Sequence, residues 1–130
     1  MTDRQLSDLA LDARNHAYTP YSNFKVGAAL LCADGTVFTG CNVENAAYGS
    51  TICAERVALV KAVSEGYRDF AAIAIAGSGE DFCWPCGSCR QMLCEFAPGL
   101  RVLAVRQDGQ FEAATLDALL PHAFGPAALN

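Results

Sequence analysis

The chain has 130 residues, 52% of them hydrophobic and 18% charged, with a formal net charge of −5. That length and balance fit one globular domain, residues 1–130, with enough apolar material for a real core, and exclude a disordered chain. The acidic charge argues against a nucleic-acid partner, and no apolar run approaches the ~20 residues that span a bilayer, so the expected partner is a small-molecule substrate.

Leu6, Leu9, Ala10, Ala13 and Ala17 recur at helical spacing behind the capping residues Thr2 and Asp3, which predicts an opening amphipathic helix ended by Thr19-Pro20-Tyr21-Ser22. The segment MTDRQLSDLALDARN carries charge throughout and has no apolar stretch of the export type, so a cytoplasmic location is expected. Phe24–Cys32 and Thr36–Val43 read as strands of a hairpin turned by Asp34-Gly35, followed by a loop over Glu44–Thr51. Cys53–Glu65 reads as a helix apolar on all sides and therefore buried on most of them, stopped by Gly66. Phe70–Ala76 is a continuous apolar run, the pattern of a strand covered on both faces. Pro85–Ser88 then turns into a short helix over Cys89–Phe96, Val102–Val105 forms a strand, a short extended piece lies near Phe111, and a last helix begins near Thr115. This alternation predicts an α/β layered domain.

Seven cysteines is a high and odd count. Without an export signal, reduced thiols and metal binding are expected rather than a disulfide framework. Cys53-Ala54-Glu55 and Pro85-Cys86-Gly87-Ser88-Cys89 each fall at the predicted start of a helix. Helix N-termini carry unpaired N–H groups and a partial positive charge, and both stabilise the thiolate that binds zinc. Three thiolates leave the fourth tetrahedral position open, as in catalytic zinc sites, and Glu55 lies within reach of that position to move a proton.

Taken alone, the spacing leaves other readings open. With Cys83, the trio could be a structural four-cysteine site or simply buried thiols. Glu55 could be a carboxylate favoured by the helix dipole, and Asn42 and Glu44 could be turn formers. Phe24 and Phe124 could be core, Arg56 could belong to a surface ion pair, and Tyr48 could be an ordinary loop aromatic. Cys32, Cys41 and Cys94 read as small core residues, and His16 and His122 have no partner at ligand spacing.

The blocks YSNFKVGAAL (21–30), GCNVENAAYG (40–49), CAERVAL (53–59), PCGSCRQ (85–91) and LLPHAF (119–124) resemble the short, homotetrameric, zinc-dependent cytidine deaminases of the cytidine/deoxycytidylate deaminase superfamily. The resemblance implies a three-layer α/β/α fold with a mixed sheet of about five strands. It implies hydrolytic deamination of cytidine and deoxycytidine to uridine and deoxyuridine, with release of ammonia, in pyrimidine salvage. Cys53, Cys86 and Cys89 would ligate one Zn²⁺ per subunit, and Glu55 would carry protons to and from water, N3 and the leaving amino group. Asn42 and Glu44 would bind the ribose, chiefly its 3′-hydroxyl; a buried Glu44 left unpaired by a free base would favour nucleosides. Phe24 would pack the base, the Ala54 N–H would donate to O2, Phe124 would complete a neighbouring subunit's pocket, and Tyr48 would lie near a site or subunit boundary. Arg56 would hydrogen-bond the thiolates and draw charge from a site of net −1. Cys83 and Trp84 precede the Pro-Cys block at positions that carry over no family role.

Overall fold

The structure, a computed structural model, describes residues 1–129; Asn130, the last residue of the expected domain, lies outside them. Helix α1 (Asp3–Ala13) starts where the sequence places it. Thr2 accepts from the Gln5 N–H while the Gln5 side chain accepts from the Thr2 N–H, a reciprocal cap that satisfies two otherwise unpaired donors. The helix ends earlier than its apolar spacing suggests, passing into a 3₁₀ turn over Arg14–His16.

Strands β1 (Gly27–Cys32) and β2 (Val37–Cys41) form the expected hairpin, with Gly35 at φ +94° and Asp34 accepting from the Thr36 N–H. The predicted strand beginning at Phe24 is shortened for a specific reason. Asn42 accepts from the Val26 N–H and donates to the Phe24 carbonyl, while Ser78 Oγ accepts from the Lys25 N–H and donates to its carbonyl. Side chains replace the ladder there, and the segment becomes a loop.

Helix α2 (Ala54–Ser64), strand β3 (Phe70–Ala76), helix α3 (Gly87–Phe96), strands β4 (Arg101–Val105) and β5 (Phe111–Thr115) and the short helix α4 (Leu116–Leu119) follow. Gly66 stops α2 at φ +95° as expected. Helix α3 starts two residues before the predicted Cys89, because Cys86 is its extended N-cap. The extended piece at Phe111 is a full strand paired antiparallel with β4.

The five strands run β2-β1-β3-β4-β5; β3 and β4 are parallel and the other neighbours antiparallel. Alternation along the strands divides the core in two. Ala29, Ala72, Ala74, Ala76, Leu103 and Val105 meet Leu6 and Ala10 of α1 on one face. Leu30, Ile73, Ile75 and Val102 meet Ala58, Leu59 and Ala62 of α2 and Leu93 of α3 on the other. The layers are therefore α/β/α. Each fully buried Leu or Ile contributes roughly 1.5–3 kcal/mol, and these two clusters contain none of Cys53, Cys86 and Cys89.

Small residues bring α2 against the sheet. A Cβ on Gly40 of β2 would lie 2.5 Å from the Ala54 carbonyl oxygen and 2.6 Å from the Ala58 nitrogen. The absent side chain thus sets the depth at which the N-terminal turn of α2 sits. The expectation that α2 is buried on most sides is only half met. Ala54, Ala58, Leu59 and Ala62 are buried, but Val60 is 49% exposed, because the sheet covers one face of the helix only. Among the described residues, no helix is long and apolar enough to cross a membrane.

Candidate active site

Two helix N-termini converge. Cys53 is the N-cap of α2 and Cys86 the N-cap of α3, both with extended backbone and neither using its side chain to cap. Cys89 lies in the first turn of α3 and is fully buried. The Cys53 and Cys86 sulfurs are 3.9 Å apart, those of Cys86 and Cys89 3.3 Å, and all three lie within 4.8 Å of one another. Thiolates bound to a tetrahedral zinc at ~2.3 Å stand about 3.8 Å apart, so the donor set fits such an ion.

The electrostatics favour the same reading. Hydrogen bonding from Cys89, with a smaller contribution from Arg56, outweighs burial and lowers the Cys53 thiol to about 5. The bond to Cys53, then burial, pushes Cys89 up. Negative charge thus settles on the Cys53 sulfur, with the Cys89 thiol beside it as a donor. Arg56 Nη2 donates to Cys53 Sγ at 3.4 Å and to the Thr51 carbonyl at 3.3 Å, and its Nε is buried without a partner. Its contact is a thiol rather than a surface carboxylate.

Glu55 is 5% exposed, and burial, the largest cause, raises its carboxyl above the usual range. It lines a cleft of about 190 Å³ together with Cys53, Ala54 and Cys86. A carboxyl able to hold or release a proton therefore faces the same space as two of the thiols. The first N–H groups of α2, Ala54's included, have no acceptor within the helix.

Cys83 and Trp84 line this cleft too, as do Val26, Asn42 and Thr51. Burial, then the charges of Glu55 and Cys53, push the Cys83 thiol up to about 11. Its sulfur does not join the three-sulfur group. Cys83 is a neutral wall residue.

A second cavity, of about 340 Å³, is lined by Tyr21, Ser22, Glu44, Tyr48 and Thr51, so Thr51 belongs to both walls. Glu44 is partly exposed rather than buried, and it is not waiting empty. Oε1 accepts from the Tyr21 N–H at 3.0 Å and the Ser22 N–H at 3.1 Å, and Oε2 accepts from the Ser22 hydroxyl. The Ser22 hydrogen bond, the largest cause, holds its carboxyl below the usual range. Asn42 spends one amide N–H and one oxygen lone pair on the Phe24–Val26 backbone, which leaves one N–H free to donate.

Phe24 is 44% exposed, its ring seated over Gly77 and Gly79 beside the cleft. Tyr48 stands edge-on to Tyr21 at 5.9 Å and is otherwise open. Phe124 lies on the C-terminal segment, 61% exposed and outside the lining of both cavities in this chain. Cys32 and Cys94 are buried and Cys41 partly so, as expected of packing residues. Ser22 and Thr51 were not foreseen. Ser22 sits in a Pro-Tyr-Ser-Asn turn, and nothing local distinguishes a turn serine from one that binds a carboxylate 22 residues away.

A family model described as the cytidine and deoxycytidylate deaminase zinc-binding region matches residues 1–105. The cytidine deaminase of Halalkalibacterium halodurans is 48% identical over 98% of both chains. That of Sporosarcina psychrophila is 50% identical over 91% of this chain and 88% of its own. The crystal structure of cytidine deaminase from Burkholderia pseudomallei superposes with a TM-score of 0.92 at 50% identity, covering 95% of this chain and 100% of that one. With three thiols gathered at two helix N-termini and a deaminase zinc-binding region spanning them, the chain belongs to the cytidine and deoxycytidylate deaminase family.

Proposed function

We infer that this chain, a zinc-dependent cytidine deaminase, hydrolyses the C4 amino group of cytidine and deoxycytidine to give uridine and deoxyuridine with release of ammonia. The observation that carries this reading is the buried Glu55 carboxyl in one cleft with Cys53 and Cys86, whose sulfurs group with that of Cys89 at zinc-binding spacing.

Cys53, Cys86 and Cys89 would hold the ion, and Zn²⁺, when bound, acts as a Lewis acid that makes water a nucleophile near neutral pH. Glu55 takes the proton of the attacking water and delivers it to N3 of the ring, which makes C4 electrophilic. It then takes the remaining proton from the hydroxyl now on C4 and passes it to the amino group; the C4–N bond breaks as the C4 carbonyl forms, so water and cytidine balance as uridine and ammonia. Its raised affinity for protons suits a group that must both accept and return one. Arg56, hydrogen-bonded to Cys53, draws charge from the sulfurs.

The Ala54 N–H donates to the O2 carbonyl, and Phe24 packs the base. Glu44 and the free N–H of Asn42 hold the 3′-hydroxyl of the sugar. The shared Thr51 wall supports one nucleoside lying across both cavities, base towards Glu55 and sugar towards Glu44. Tyr48 borders the sugar side.

Residues 1–130 act as a single deaminase domain, with one zinc per subunit. The exposed apolar groups Tyr18, Tyr48, Val60 and Phe124 support contact between copies of the chain, and likeness to the short deaminases supports a homotetramer in which Phe124 completes a neighbour's pocket. A cytoplasmic place in pyrimidine salvage fits thiols left unpaired and a nucleoside substrate. The test is the fall in ultraviolet absorbance with cytidine, deoxycytidine, adenosine and CMP. Turnover of the first two alone supports the reading, and turnover of adenosine in place of cytidine contradicts it.

A further inference from the structure

Glu44 is close to saturated before any ligand arrives. A carboxylate has about four lone-pair positions. The Tyr21 and Ser22 N–H groups fill both on Oε1, and the Ser22 hydroxyl fills one on Oε2. One position remains. The hydroxyl that fills the third also accepts from the Phe24 N–H at 3.0 Å. Ser22 Oγ is therefore a direct bridge from the carboxylate on the sugar side to the backbone of the aromatic on the base side.

Phe24 is held from other directions as well. Its carbonyl accepts from Asn42 Nδ2 at 2.9 Å. Its ring lies so close to β3 that a Cβ on Gly77 would stand 2.9 Å from Cζ. The intervening Asn23 has a φ of +60°, a left-handed conformation that only a few residue types adopt readily. The loop thus has little freedom to move Glu44 and Phe24 independently.

We propose that Ser22 is a positioning residue: its hydroxyl locks Glu44 and Phe24 into one hydrogen-bonded unit and leaves Glu44 a single acceptor position, aimed at one sugar hydroxyl. This rests on the reading of Glu44 as the acceptor for the 3′-hydroxyl. Removing the Ser22 hydroxyl frees Oε2 to turn and leaves the Phe24 N–H without its acceptor. The sugar contact loosens most and the base contact less, since the Phe24 ring stays seated over Gly77 and Gly79, while Glu55 and the thiols are untouched.

Steady-state kinetics with cytidine and with 3′-deoxycytidine separate this from a general structural effect. Ser22→Ala raises KM for cytidine about tenfold, the scale of one hydrogen bond to a charged group, with kcat within about twofold. For 3′-deoxycytidine, which brings no hydroxyl to Glu44, KM rises by less than about threefold. Ser22→Thr, which keeps the hydroxyl, restores most of the loss. An equal rise for both substrates, or no rise with cytidine, overturns the proposal. Glu44→Ala is measured alongside. If it leaves KM for cytidine unchanged, the reading of Glu44 itself fails; if it raises KM while Ser22→Ala does not, only the role of Ser22 fails.

Discussion

The two halves of the cleft are built by opposite means. On the sulfur side, Cys53, Glu55, Cys86 and Cys89 sit in the first turns of two helices packed on the sheet, and Glu55 and Cys89 are buried. On the loop side, where the sugar is proposed to meet Glu44 and the base Phe24, Glu44, Asn42, Ser22 and Phe24 are tied by side-chain to backbone hydrogen bonds and partly or largely open to solvent. Reacting groups need fixed distances and low dielectric, which helix ends against a core supply. Recognition of a sugar needs acceptors that solvent and substrate can reach. The difference implies that substitutions on the sulfur side act on turnover and those on the sugar side on binding.

The largest effect that tests this division is Glu55→Gln, which keeps shape and removes the proton carrier. The expected loss in kcat is about 10²–10⁴-fold, with KM for cytidine changed much less. A loss confined to KM would erase the division. Arg56→Ala follows, lowering kcat more than it weakens nucleoside binding, because Arg56 hydrogen-bonds Cys53 Sγ and the Thr51 backbone and does not itself line either cavity. An unchanged kcat would remove Arg56 from the account. On the other side, Glu44→Ala is expected to raise KM for cytidine by ~10-fold or more, the scale of a charge-assisted hydrogen bond. Its kcat should fall less than that of Glu55→Gln.

Sequence pattern and structure agree most closely where local physics decides. The run FAAIAIA forms β3 over Phe70–Ala76 because both faces of that strand are covered. Thr2 and Gln5 cap α1, and Asp34-Gly35 turns the hairpin, each by contacts within a few residues. The sulfur side was legible for the same reason, since Cys86 and Cys89 are three apart and Glu55 is two from Cys53. The sugar side was legible only through family resemblance. Its decisive contacts, Ser22 to Glu44 and Asn42 to Phe24, join residues 22 and 18 positions apart, and no periodicity encodes them. The same tertiary clamp shortened β1. Exposure of Val60 escaped the apolar pattern because a helix with apolar residues on every side reads the same whether a sheet or another copy of the chain covers its second face.

Smaller effects test how the fold supports the sulfur side. Gly40→Ala forces a Cβ against the first turn of α2 and should cost roughly 1–3 kcal/mol of stability. It should lower kcat more than it raises KM, since Cys53 and Glu55 ride on that turn; thermal unfolding and kinetics together check it. The smallest is Asp3→Asn, which breaks the exposed ion pair to Arg101 at 2.7 Å and should cost less than about 1 kcal/mol. Arg101, chiefly by hydrogen bonding, lowers the Asp3 carboxyl from its ordinary 3.8. The stabilisation is therefore full above that value and fades as pH falls through the lowered one. Unfolding midpoints of the two proteins should differ at pH 7 and converge well below pH 3.8; a constant difference would show that the pair is not its source.

Cys53, Cys86 and Cys89 are proposed to hold a zinc that does chemistry rather than one that holds the fold. The apolar cluster that fixes α2 and α3 to the sheet contains none of these three cysteines. The direct test follows zinc per chain, cytidine turnover and helical circular dichroism together, as a chelator withdraws the metal and zinc is then restored. Turnover should fall in proportion to bound zinc and return with it, while the dichroism holds. Unfolding in step with metal loss, or turnover that persists without zinc, would contradict the account.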